Sequence, residues 1–136
     1  MIDPEKVPPV ADKELLARYV TQSGQFRSSN NTIKPDLFMP HPYQELSLTR
    51  HQDATKEEIW EVGFDVASKK KLYGRADIQA SKCKIDSLQV TAKPLFSNPN
   101  HVDIEGWPSE KQEQKAIAQK LALSASELIK PPPMQS

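Results

Sequence analysis

Residues 72–108, LYGRADIQASKCKIDSLQVTAKPLFSNPNHVDIEGWP, decide the fold of this chain. They divide into three short β segments, 72–80, 88–93 and 102–105. Gly106-Trp107-Pro108 closes the last one as a hinge into a final helix. In each segment apolar and polar residues alternate, as in strands with one buried face and one wet face. Ala76, Ile78 and Ala80 fall on one side, and Arg75, Asp77 and Gln79 on the other. Leu88, Val90 and Ala92 alternate with Gln89, Thr91 and Lys93, and Val102 and Ile104 with His101 and Asp103.

Outward from this stretch, residues 45–50 read as a further strand, with Leu46 and Leu48 inward and Ser47 and Thr49 outward. Thr55 and Glu58 then form a capping box. The helix it opens carries Ile59, Val62, Gly63 and Val66 as its apolar stripe, with Trp60 at the edge. Three lysines, Lys69 to Lys71, end it, as the helix dipole favours. A second capping box is expected at Ser109 and Gln112. It opens a helix to about Leu128 that buries Ile117, Leu121, Ala125 and Leu128. The segment around Leu15, Leu16 and Tyr19 fits a helix capped by Asp12, with a strand over 16–21 as the competing assignment. Residues 24–42 are an irregular connector that Phe38 and Met39 pin to the core. Between the β segments, 81–86 reads as a helical turn and 97–100 as a tight turn.

The expected architecture is α+β: a single mixed or antiparallel sheet of about four strands, with both main helices on one face and the other face polar. Residues 1–11 are expected to form a flexible N-terminal arm, 12–129 one domain, and 130–136 a loose proline-rich tail.

Composition limits the function. Eighteen basic residues balance eighteen acidic ones across 136 residues, which argues against a dedicated nucleic-acid binder. Cys83 is the single cysteine, so neither an intrachain disulfide nor a thiolate zinc site can form. No apolar run reaches the roughly 18 residues of a membrane span, and the first residues lack a signal-peptide pattern. The simplest reading of these points is a soluble cytoplasmic protein, and a mean hydropathy of −0.64 puts it at the polar end of globular proteins.

Chemistry is then sought on the wet face. His51-Gln52-Asp53 and His101-Val102-Asp103 share the spacing His-x-Asp, which in a strand sets both side chains on one face. A carboxylate beside an imidazole fixes its tautomer, as a general base requires. Arg75 and Asp77 form either an ion pair or an anion clamp that Gly74 makes approachable. If Arg75, His101 and Arg50 converge, they make the minimal kit for phosphate recognition. No glycine-rich phosphate loop, nucleophile elbow or third zinc ligand accompanies them. No metal or cofactor is expected. Cys83 reads as a buried, unreactive thiol. Trp107 packs the hinge, and a stacking role for it or Tyr43 is disfavoured by the zero net charge.

Lys34-Pro35-Asp36-Leu37-Phe38-Met39-Pro40, residues 45–50, Gly74-Arg75-Ala76-Asp77 and the run from His101 through Gly106-Trp107-Pro108 carry a resemblance. Over about residues 33–125 the chain resembles small hypothetical bacterial proteins, some carried on mobile elements. That resemblance implies a free-standing bacterial cytosolic protein and brings no activity with it.

The expectation is a binding or accessory protein. It recognises a partner protein or small anionic ligand through Arg50, Arg75, Asp77, His101 and Asp103. The alternative is a metal-independent hydrolase or phosphodiesterase using His51 and His101 with Arg75. That reading requires two of the three within one cleft. A homodimer through the sheet is a third reading.

Overall fold

The computed structural model describes residues 3, 6–40, 45–52 and 54–133. Five strands form one sheet: β1 (Leu15–Val20), β2 (Leu46–Arg50), β3 (Gly74–Gln79), β4 (Gln89–Ala92) and β5 (His101–Glu105). Their order across the sheet is β3-β1-β2-β5-β4, and every neighbouring pair is antiparallel. Three helices join them: α1 (Lys56–Ala67), the short α2 (Ala80–Cys83) and α3 (Lys111–Ser124). The α+β class follows directly, with one strand more than the sequence suggested.

The additional strand is β1, at the segment expected to be helical. It pairs with β3 along its whole length, from Leu15 opposite Gln79 to Val20 opposite Gly74. Leu16 and Val20 are buried on one side of the sheet, and Ala17 and Tyr19 on the other. With both faces packed, the simple apolar–polar alternation is lost, and leucines at i and i+1 imitate a helix. The aromatic and β-branched Tyr19-Val20 held the correct signal.

The two main helices lie on opposite faces, contrary to the expected arrangement. Ile117, Ala118 and Leu121 of α3 join Leu16, Val20, Leu46, Leu48, Ala76, Ile78, Val102 and Ile104 in the larger core. A single-turn 3-10 helix, Pro35–Phe38, adds Leu37 and Phe38 to that core, so the connector is pinned as expected. On the other face Ile59, Trp60 and Ala67 of α1 pack with Ala17, Tyr19 and Leu72. Burying each large apolar side chain contributes about 1.5–3 kcal/mol, so both faces hold the sheet. Trp60 is buried rather than marginal, while Val66 of the expected stripe is 59% exposed. Gly63 admits the closest approach, since a Cβ there would lie 2.7 Å from Cε1 of Tyr19.

The Thr55 and Glu58 capping box forms as expected, with reciprocal hydrogen bonds of 3.1 and 3.0 Å. The box at Ser109 and Gln112 does not. Helix α3 begins later, behind Glu110, and Gln114 Nε2 instead donates to the Pro108 carbonyl at 2.7 Å. Nor does α3 continue to Leu128. After Ser124 the chain extends along the outer edge of β3. Ser126 N donates to the Asp77 carbonyl at 2.8 Å, and Arg75 and Ile129 exchange hydrogen bonds of 2.9 and 2.8 Å.

At the N-terminal end, residues 8–10 are docked. Arg50 Nη1 donates to the Pro8 carbonyl at 2.7 Å, Lys84 Nζ to that of Val10 at 3.1 Å, and Val10 is buried. The hinge packs as expected, with Trp107 buried and its Nε1 donating to the Ile104 carbonyl at 3.0 Å.

Candidate functional site

The wet face of the sheet carries two separate polar clusters. In the first, Asp77 Oδ1 receives both His51 Nε2 at 2.9 Å and Arg75 Nε at 3.1 Å. The Arg75 guanidinium lies 4.7 Å from the centroid of the Trp60 ring, so α1 closes over it. Side-chain exposures of 7%, 13% and 21% for Arg75, Asp77 and His51 describe a closed network rather than an open clamp. Burial raises the Asp77 carboxyl, but hydrogen bonding to His51 and the two neighbouring charges more than offset it, leaving it below the usual carboxylate range. Among the described residues Arg75 Nη1 is buried without a hydrogen-bond partner.

The second cluster belongs to β5. His101 Nδ1 faces the Lys93 carbonyl at 2.9 Å, and its Nε2 stands 3.5 Å from Asp103 Oδ1. Alternation thus places His101 and Asp103 together, as the spacing predicted. Asp103 is buried and also accepts from Ser47 Oγ at 3.1 Å, with Lys93 Nζ 3.6 Å away. Lys93 Nζ also meets Glu105 at 3.1 Å, and that hydrogen bond raises its pKa above the ordinary lysine value.

Register fixes the separation of the two clusters. Asp77 stands opposite Ala17, Ala17 opposite Thr49, and Thr49 opposite His101. Three inter-strand steps of about 4.8 Å put His101 about 14 Å from Asp77. His51 and Arg75 meet on one carboxylate, while His101 serves a different neighbourhood. Arg50 joins neither. It points to the opposite face, where Nε and Nη2 grip Glu14 at 2.7 Å each, and it is 2% exposed. The expected convergence of Arg50, Arg75 and His101 does not occur, because successive residues of a strand face opposite ways. The pairing of His51 with Asp53, and the position of Tyr43, fall outside the described residues. Among the described residues no three His, Cys, Asp or Glu side chains gather as a metal site would need, and no helix is long and apolar enough to cross a membrane.

A cleft lies elsewhere, and Arg18 is its centre. β1 and β2 pair only at Leu16 with Arg50 and Ala17 with Thr49, and then part. Continuing that ladder would set Tyr19 against Ser47. Instead the Ser47 carbonyl accepts from Arg18 Nη1 at 3.0 Å, and Arg18 Nε donates to the Leu37 carbonyl at 3.0 Å. A guanidinium thus fills the wedge where the strands separate. Burial pushes its pKa down to about 10, so it remains charged at neutral pH. Among the described residues it has no carboxylate partner, and Nη2 has no hydrogen bond.

Two cavities share Arg18, Gln25 and Ser47. The larger, about 460 Å³, is completed by Gln22, Asp36, Met39 and Glu45. The smaller, about 110 Å³, reaches the wet face at Thr49, Asn98 and His101. The connector over residues 24–42 therefore frames this cleft through Gln25, Asp36 and Met39. Sequence reasoning missed Arg18 because it lay in the segment read as a helix. On β1 it shares a side with Leu16 and Val20, and an arginine there demands a reason.

Compared with known proteins, the chain matches no family model, no curated protein and no solved structure.

Proposed function

We propose that this chain is a small cytosolic binding protein whose ligand is a small anion, anchored by Arg18 in the cleft between β1 and β2. One observation carries the reading: a half-buried guanidinium lines a 460 Å³ cavity and, among the described residues, bonds to two backbone carbonyls and to neither of the carboxylates, Asp36 and Glu45, that share the lining. A charge withdrawn from water costs free energy unless it is paired. The two backbone carbonyls orient the group but do not cancel its charge, which leaves it available to an incoming carboxylate or phosphate. Binding rather than turnover is favoured because the two histidines an acid–base mechanism would use stand in separate clusters, His51 on Asp77 and His101 against the Lys93 carbonyl.

The test is a two-dimensional NMR titration of the ¹⁵N-labelled full chain with acetate and with inorganic phosphate at pH 7. Saturable shifts are expected at Arg18, Gln25 and Ser47, including the Arg18 side-chain resonance. Shifts centred on Arg75 and His51, or none that saturate, overturn the proposal.

A further inference from the structure

We infer that the natural ligand of the cleft is a zwitterion of the free α-amino-acid type, its carboxylate on Arg18 and its ammonium on Asp36. This rests on the reading of Arg18 as the anion anchor and adds the second charge. The larger cavity is lined by one guanidinium and by two carboxylates, Asp36 and Glu45. Among the described residues the Asp36 side chain has neither a hydrogen bond nor an ion pair. The Glu45 carboxylate lies 3.9 Å from Lys93 Nζ, at the outer limit of pairing. Opposite charges that share a cavity would ordinarily pair with each other, yet Arg18 and Asp36 do not.

The 3-10 turn explains why they stay apart. Arg18 Nε is held by the carbonyl of Leu37, the residue next to Asp36 in the turn. The guanidinium is pinned to the turn backbone, while the carboxylate projects from the preceding position. The guanidinium is held, the Asp36 carboxylate is free to meet a ligand, and among the described residues neither is neutralised. A simple anion would be held by Arg18 alone, beside Asp36 and Glu45, and so more weakly than a ligand that also carries a positive charge. A simple cation would meet those carboxylates but be opposed by Arg18. A ligand carrying both charges satisfies the whole lining.

The remaining wall is consistent with this assignment. Gln25 Oε1 already accepts from Thr21 N and Gln22 N at 3.1 and 3.2 Å, so its amide nitrogen remains to donate toward the ligand carboxylate. Met39 supplies an adaptable apolar wall for the ligand side chain. The cavity volume falls within the usual small-molecule range of about 300–1,000 Å³, larger than acetate or phosphate needs.

Isothermal titration calorimetry of the full chain against the twenty L-amino acids at pH 7 tests the assignment. The tightest binder is then compared with its N-acetyl and methyl ester derivatives. Each derivative is expected to bind about tenfold more weakly or worse, since each lacks one charge. Asp36→Asn, an exposed position with no side-chain bond to lose, should weaken the free amino acid by a similar factor and leave the N-acetyl derivative unchanged. Equal binding of the free and N-acetylated forms overturns the zwitterion while leaving an anion site. Failure of every amino acid to bind overturns the zwitterion, and failure of acetate and phosphate as well overturns both readings.

Discussion

The hydroxyl of Tyr19 donates to the carbonyl of Ile59 at 2.6 Å, binding the second strand of the sheet order to the helix that covers the wet face. The edge of the ring from Cδ1 to Cε1 lies against Gly63, so its position is fixed at both ends. Burial pushes the phenol up to about 12, so it keeps its proton near neutral pH.

Gly63→Ala therefore sets two effects against each other. Alanine gains about 1 kcal/mol of helix propensity, but overpacking against a ring that cannot turn costs about 1–3 kcal/mol. The ring is bonded at its hydroxyl, so overpacking prevails. A net loss of about 1 kcal/mol is expected, lowering Tm by about 3 °C. Differential scanning calorimetry of the two proteins reads it, and an unchanged or higher Tm contradicts the packing described.

Asp77 links stability to pH. Its carboxyl lies below its ordinary value in the folded chain. Such a group contributes stability above its unfolded pKa, about 4, and loses that contribution as pH falls through the lower folded value. Tm should drop as pH falls below about 4, and Asp77→Asn should flatten that part of the curve. At pH 7 the same variant leaves Arg75 without its carboxylate and should lose about 3 kcal/mol. Parallel acid limbs for the two proteins would contradict the network.

Arg50 holds the N-terminal arm. Arg50→Ala removes the bonds to Glu14 and to the Pro8 and Pro9 carbonyls together. It should cost about 3 kcal/mol or more and speed amide exchange over residues 6–14 well above global opening. Unchanged protection in that segment counts against the docking.

Cys83 is fully buried, and burial pushes its thiol up to about 12. An aromatic disulfide reagent at pH 8 should release almost nothing from the native chain and one equivalent in urea. Rapid native reaction would place the residue at the surface.

Gly74 meets the Ile129 carbonyl so closely that any Cβ would displace it. Gly74→Ala should detach residues 126–129 from β3, seen as faster exchange of the Ser126 and Ile129 amides. Retained protection there would show that the edge pairing is held by other contacts.

How much of this was visible in the chain depended on whether each element had one wet side. β5 shows it: His101 and Asp103 alternate with Val102 and Ile104, and the pairing was legible. β1 has none, because Ala17 and Tyr19 pack under α1 while Leu16 and Val20 pack under α3, so its strand character was hidden. The same helix, placed on the wet face, turned Arg75 and Asp77 from a surface clamp into a covered ion pair. Arg18 was obscured with its strand. Its role depends on where β1 and β2 cease to pair, which is set by tertiary packing and has no local signature. Leu128 was rightly read as buried, but in the extended segment that bridges Arg75 at Ile129 and not on a helical stripe.

The two rims of the sheet are unequal. Residues 126–129 of the same chain already occupy the flank of β3, whereas β4 is the terminal strand on the other side. Gln89, Val90, Thr91 and Ala92 carry no charge, and such a rim is a template for lateral growth. Any polymerisation of this fold should begin there, so a lysine introduced at the exposed Gln89 would guard concentrated solutions better than one anywhere along β3.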